Sequence, residues 1–236
     1  MIVLGFDTAT AATAVGLLDD AAPDDVRERR DEPPAGERPR HAAQLLALAH
    51  ALLEDAGLAF ADVDRIAVGL GPGTFTGLRI GVATARALAQ ATGAELVGVS
   101  TLRALAVAAE PGAPAGAGVL AVVDARRSEV FAAGWRDGRQ VLEPVALAPA
   151  ALAERLRAGG ETWLAVGDGA IRFRPDLERA GCLVAPDRSP LHGVGAGTIC
   201  RLALEAPPVI ARDLVVPDYL RAPDAARSRN LRAQLT

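Results

Sequence analysis

IVLGFDTATAATAVGLLDD, residues 2–20, sets an apolar run, an acid at Asp7, a short polar turn and a second apolar run in close succession. That order reads as strand, tight turn, strand: a hairpin that closes near Leu18. The same order returns at GVLAVVDARRSEVFAAGW, residues 118–135, where Asp124 takes the place of Asp7. Two ordinary hairpins would look alike by chance. A unit that opens each half of a chain points instead to internal duplication.

The segments between the hairpins alternate in the same spirit. The first half reads as a third strand around Val26, a helix over 41–56, strands over 64–70 and 94–99, and a helix over 78–91. Ser100 is placed to cap a further helix that runs to about Ala109. The second half reads as a strand near Val141, a helix over 149–157, a strand over 162–166, and helices over 171–180 and 193–204. EPGAPAGAG, residues 110–118, disfavours both helix and central strand and is the natural linker. The expected organisation is an N-terminal lobe over 1–110 and a C-terminal lobe over 111–220. RAPDAARSRNLRAQLT, residues 221–236, lacks apolar periodicity and is expected to be a flexible tail. A duplicated βββαβα-type unit with an acid ending each first strand predicts a two-lobed α/β fold of the actin, Hsp70 and sugar-kinase (RNase H-like) class. ATP sits between the halves in that class, although fold analogy alone says little about activity.

Composition narrows the chemistry. Half of the 236 residues are hydrophobic but only 3% are aromatic, so the core has to be built from Ala, Val and Leu, which allow close layer-to-layer approach. All 25 cations are arginine, and the chain has no lysine. That removes a P-loop lysine, Schiff-base chemistry and a lysine general base together. A net charge of −4 is a poor match for binding nucleic acid unaided. Cys182 and Cys200 lie far apart without CxxC spacing and read as reduced thiols. The start, MIVLGFD, reaches an acid before a signal-peptide core can form, and no apolar run approaches the ~20 residues of a membrane span. The expectation is a soluble cytoplasmic protein.

The glycine-rich stretch GLGPGTFTGLRIG, residues 69–81, invites a phosphate-binding reading. Walker A needs a lysine, and both GxGxxG registers fail, at Thr74 and at Thr76. A structural role remains: a tight turn of Gly71 and Gly73 around Pro72, Thr76 as helix cap, and Gly77 and Gly81 for close packing. Asp7, Thr8, Thr10 and Asp124 are where a phosphotransferase of this architecture would hold metal-bound water and phosphate, so they read as the remains of a nucleotide cleft. The second turn, however, carries Arg126 and Arg127 and no glycine. Each Asp could instead simply accept local backbone N–H groups. His41, His50 and His192 lack metal-ligand spacing, GxSxG is absent, and GDGA over 167–170 reads as a short turn. In the helix over 41–56, Leu45, Leu48 and Leu52 form one stripe and Leu46, Ala49 and Leu53 a second beside it. That is wider than the ~100° needed to sit on one sheet, and it argues for a partner.

GLGPGTFTGLRIGVATARALAQ over 69–90, GVSTL over 98–102, VVDARRSEVF over 122–131 and PDYLR over 217–221 resemble the bacterial TsaB (YeaZ) family, as do DTAT over 7–10 and RHAAQLL over 40–46. The resemblance spans nearly the whole chain. It implies a non-catalytic partner of TsaD in making threonylcarbamoyladenosine beside the tRNA anticodon, with the ATPase TsaE joining the assembly and self-association of the chain as well. It also implies no catalytic residue, no metal and no cofactor of its own, with ATP or ADP only within the complex and tRNA reached only through it. Where TsaD carries HxxxH, this chain has Thr101 to Leu105 without a ligand, and GVGAGTI over 193–199 lacks the further acid. The implied partner surface is the helices over 41–56 and 78–91: His41, Leu45, Leu46, Ala49, Leu52, Leu53, Arg79 and Arg86. Two alternatives of the same fold compete with this reading, a metal-dependent peptidase-like enzyme and a small-molecule kinase-like enzyme.

Overall fold

The first two strands are buried at nearly every consecutive position, so both of their faces are covered, and this determines the layering. The computed structural model describes residues 1–34, 36–209 and 211–221. Its first sheet contains β1 (Ile2–Asp7), β2 (Thr13–Asp19), β3 (Arg27–Asp31), β4 (Arg65–Gly71) and β5 (Glu95–Ser100) in the order β3-β2-β1-β4-β5. The second contains β6 (Gly118–Arg126), β7 (Glu129–Arg136), β8 (Arg139–Leu147), β9 (Trp163–Val166) and β10 (Leu183–Val184) in the order β8-β7-β6-β9-β10. The two orders are the same once the numbering is shifted. In each sheet the first three strands pair antiparallel and the last two join in parallel. The duplication expected from the two hairpins therefore extends through both sheets.

Helices α1 (His41–Asp55) and α2 (Phe75–Thr92) cover the outer face of the first sheet over Leu4, Phe6, Val15 and Leu17. Helices α4 (Pro149–Gly159), α5 (Asp168–Arg172) and α6 (Arg174–Arg179) do the same for the second, over Leu120, Val122 and Val130. Between the sheets lie α3 (Thr101–Ala109) and α7 (Ala196–Glu205), sharing one core with Val3, Leu18, Val119, Ala121 and Val123. Their placement is crossed. α7, late in the chain, packs on β1 and β2, while α3 packs on β6 and β7. Close seating of α7 depends on Gly5 and Gly16, where a Cβ would come 2.6 Å from the Cys200 Sγ and 2.8 Å from the Ala196 carbonyl carbon. Buried Arg65 on β4 finishes the seat, donating to the Ala203 carbonyl at 2.5 Å and the Ala206 carbonyl at 3.1 Å, where a cation suits a helix C-terminus. Residue 110 divides the sequence, but it does not divide the packing.

Several sequence expectations need correction. α2 starts at Phe75 with Thr74 as its N-cap, so Thr76 is not the cap, and Gly77 and Gly81 lie inside the helix. The helix expected over 171–180 is broken at Phe173, because Pro175 in the first turn of α6 has no N–H to continue α5. β10, only two residues long, carries too little pattern to be read. The expected tail lies outside the described residues except for Arg221. Among the described residues, no helix is long and apolar enough to cross a membrane.

Candidate functional site

The DTAT turn between β1 and β2 is the first place where a phosphate would sit in this architecture. Here it is closed. Asp7 is 1% exposed and Thr8 is fully buried. The Asp7 Oδ1 accepts the Ala9 N–H at 2.8 Å, and its Oδ2 accepts the Thr101 hydroxyl at 2.7 Å. Thr101 in turn accepts the Gly71 N–H at 3.2 Å, which ties three elements to one carboxyl. Burial raises the Asp7 pKa above its ordinary value, although the Thr101 and Ala9 hydrogen bonds pull the other way.

The glycines of residues 69–81 explain the closure. A Cβ at Gly69 would overlap the Asp7 carboxylate, at Gly73 the Ala9 carbonyl, at Gly77 the Thr8 carbonyl and at Gly81 the Thr8 hydroxyl. The Thr8 hydroxyl donates to the Gly77 carbonyl at 2.8 Å, and the Thr74 N–H to the Ala9 carbonyl at 2.7 Å. Gly69 thus lets the end of β4, and the other three glycines let α2 and its leading loop, come directly onto the turn. The stretch is a clamp on Asp7–Ala9.

The second turn is closed by different means. Asp124 Oδ1 accepts the Arg126 N–H at 2.9 Å, and Oδ2 faces Arg172 at 2.7 Å and Arg126 at 3.2 Å. Two guanidiniums occupy the side of the carboxylate that a metal ion would need. Arg126, Arg127 and Ser128 have φ of 62°, 52° and 58°, three successive left-handed residues without a glycine. Asp168, whose Oδ1 accepts the Asp124 N–H at 2.9 Å, has its pKa raised, chiefly by burial. Among the described residues, no three His, Cys, Asp or Glu side chains gather as a metal site would require.

Between the lobes lies a cleft of about 660 Å³, which Thr10 enters beside Glu28, Glu32, Asp168, Asp187 and Arg188. Acids outnumber cations along it. Glu28 also occupies the start of α7, its carboxylate accepting the Ala196 N–H at 2.5 Å, where a phosphate would otherwise gain from the free N–H groups. Four acids against Arg30 and Arg188 make this lining unfavourable for a metal-free nucleoside triphosphate.

The helix pair tells a different story from the one its stripes suggested. Leu45, Ala49, Leu52 and Leu53 are buried in the lobe-one core, because α1 packs in the corner between β2, β3 and α2. That corner, with two walls, accounts for the double-width stripe. His41 is buried as well, its Nδ1 paired with the Thr13 hydroxyl at 2.9 Å, and burial lowers its pKa. Of the leucines and alanine expected on the partner surface, Leu46 alone faces out, at 48% exposure. Around it, Ala42, Ala43, Ala47 and His50 are exposed on α1, and Thr76, Ala83 and Ala87 on α2.

Arg79 and Arg86 are held by a segment the sequence left without structure. The Arg79 guanidinium lies 3.8 Å over the Phe75 ring and donates to the Tyr219 hydroxyl at 3.3 Å. Arg86 donates to the Asp213 carbonyl, and Arg212 to Gln90 at 3.3 Å. Val215 enters the lobe-one core, the Asp218 N–H bonds the Leu70 carbonyl at 2.7 Å, and Arg221 pairs with Glu129 on β7 at 2.6 Å. Residues 211–221 form a strap along α2 that reaches the second lobe. The PDYLR motif was the one available signal for it.

Matching mixed sheets, crossed central helices and acid-tipped hairpins define a protein of the actin and sugar-kinase-like class. A hexokinase of the ROK group from Thermus thermophilus shares this fold at a TM-score of 0.52 and 16% identity, covering 86% of this chain and 100% of its own. The chain belongs to the TsaB family. It is 32% identical to the Escherichia coli tRNA threonylcarbamoyladenosine biosynthesis protein TsaB over 94% of this chain and 95% of that protein. YeaZ from Pseudomonas aeruginosa superposes at a TM-score of 0.71 with 30% identity, over 93% of this chain and 99% of its own. The family model described as TsaD, tRNA N6-adenosine threonylcarbamoyltransferase, matches residues 34–160. An uncharacterized Mycobacterium leprae protein is 32% identical over 95% of this chain, which spans only 56% of that relative's length.

Proposed function

We propose that this chain is a non-catalytic partner that activates a TsaD-family transferase in forming threonylcarbamoyladenosine in tRNA. The observation that carries the reading is the outer face of α1 and α2. From His41 to Leu53 the sequence holds no charged residue, yet Ala42, Ala43, Leu46, Ala47 and His50 of this stretch are exposed. Helix faces that meet only water normally carry charge, whereas the centre of an interface is depleted of it. The two cations of α2, Arg79 and Arg86, are drawn aside onto the strap. The TsaB name of the relatives, and a TsaD-family match that spans both helices, agree with a TsaD-type partner.

The state of the two turns supports a non-catalytic role. Asp7 is committed to Ala9 and Thr101, and Asp124 to Arg126 and Arg172, so neither carboxylate is left to bind metal-activated water. On this reading the chain needs no cofactor of its own, and ATP or ADP enters only with the complex, through TsaE. The same uncharged face serves self-association when TsaD is absent. A net charge of −4 leaves tRNA to be held through the complex. The test is reconstitution of tRNA modification by the TsaD-family protein of the same genome, with and without this chain. Product formation has to depend on the chain and has to be lost with Ala83→Asp, which puts a charge in the middle of the face. Undiminished modification without the chain would refute the role.

A further inference from the structure

The outer face of α1 and α2 is small for a stable interface. Helices of 15 and 18 residues are about 22 and 27 Å long, and at a width of roughly 10 Å each they offer on the order of 500 Å². Specific interfaces bury about 800 Å² per partner. The missing area has an evident source. Leu214 and Val216 are 64% and 54% exposed, and with Tyr219 and Phe75 they line one flank of α2 as a run of large apolar side chains on the surface.

Geometry places this run beside the uncharged face. The strap meets α2 at positions 75, 79, 86 and 90, which fall on one side of a helix. On the opposite flank Ile80 and Leu88 turn into the core that α1 shares. Between the flanks the exposed positions are Thr76, Ala83 and Ala87, all small. With α1 on one side and the large side chains of the strap on the other, this small-residue floor makes a trough as long as α2. We propose that residues 211–221 form the second wall of this trough, so that one amphipathic helix of the TsaD-family partner lies along α2 between α1 and the strap. The inference rests on the reading given under Proposed function. The anchor is the cluster of Phe75, Arg79 and Tyr219, with its ring centroids 5.2 Å apart, since aromatic and arginine side chains dominate binding at interface centres.

Calorimetric titration of the purified chain with the TsaD-family protein of the same genome tests it. Tyr219→Ala is expected to weaken binding about thirtyfold, and Val216→Asp at least about tenfold. Amides of residues 211–221 should gain hydrogen-exchange protection in the complex. Leu214→Ser, at the most exposed of these positions, replaces either variant if it lowers the melting temperature. Ala83→Asp separates the two levels. If it abolishes binding while the strap variants bind within about twofold of the parent and exchange is unchanged, the strap proposal is overturned and the reading beneath it stands. If Ala83→Asp also binds like the parent, both fall. Strap variants that weaken only self-association, leaving the TsaD complex intact, overturn the proposal as well.

Discussion

Replacing Gly77 by Ala should destabilise the protein, although the same change inside a helix normally helps. Helix propensity alone favours Ala over Gly by about 1 kcal/mol. At Gly77 the added Cβ would lie 2.6 Å from the Thr74 Oγ1 and far inside van der Waals contact with the Thr8 carbonyl oxygen. That carbonyl belongs to a buried turn and cannot rotate away, so α2 would have to rise by about 1 Å, an overpacking that costs roughly 1–3 kcal/mol. Lifting α2 also strips the Thr8 hydroxyl of its bond to the Gly77 carbonyl, and a buried hydroxyl left without a partner costs about 1–3 kcal/mol. Set against the propensity gain, the net loss is roughly 1–5 kcal/mol, centred near 3. For a chain of this size the central value should appear as a melting temperature lower by roughly 6–12 °C. Gly159→Ala is the control: it ends α4, and its Cβ would meet nothing within 4 Å. It should leave the melting temperature unchanged or raise it by roughly 2–3 °C. A Gly77→Ala variant that melts at or above the parent would refute the clamp.

Further outcomes follow from burial and charge. Leu53→Asp, at a fully buried core position, should lose several kcal/mol and fail to fold, while Leu46→Asp should stay within about 0.5 kcal/mol of the parent and lose partner binding; paired urea melts and pull-downs check both. Asp7→Asn should gain stability relative to the parent as the pH rises above the ordinary carboxylate range of about 4. The sign comes from the raised folded-state pKa: protonated Asp7 is compatible with burial, and its contribution is lost as the pH climbs through that value. A difference between the two proteins that does not vary with pH would contradict it. Cys200 and Cys182, pushed up to about 12 and about 11 by burial, should resist alkylation in the folded chain and react at once in urea. The isolated chain should turn over no ATP with Mg²⁺ present, as a coupled assay would register.

Much of the architecture was legible because it is written twice. Apolar runs ending in Asp7 and Asp124 pointed to two matching lobes, and the linker and most elements lie within a few residues of their expected places. The failures share a cause: they concern contacts between distant residues. The double stripe of α1 gave the right width but not its meaning, since periodicity does not distinguish a corner inside the fold from a surface outside it. Arg79 and Arg86 were read without the strap they hold, because their hydrogen-bond partners lie 140 and 127 positions away, and nothing local marks that contact. The strap has no periodicity of its own because single side chains fix it. The glycine loop was legible as packing rather than chemistry only because no phosphate-binding register could be written on it.

The crossing of α3 and α7 also sets an order of events during synthesis. Cys200 on α7 reaches back to the Val3 carbonyl across 197 positions. The first sheet can pair its strands early, with α1 and α2 on its outer side. Its inner side, from Val3 to Leu18, has nothing to bury against until α7 has left the ribosome. Loop-closure entropy makes such distant contacts late and slow. For most of its time as a nascent chain, this protein therefore exposes one apolar sheet face that only its own distal helix can cover. A chaperone that shields flat apolar surface would be needed most in that interval.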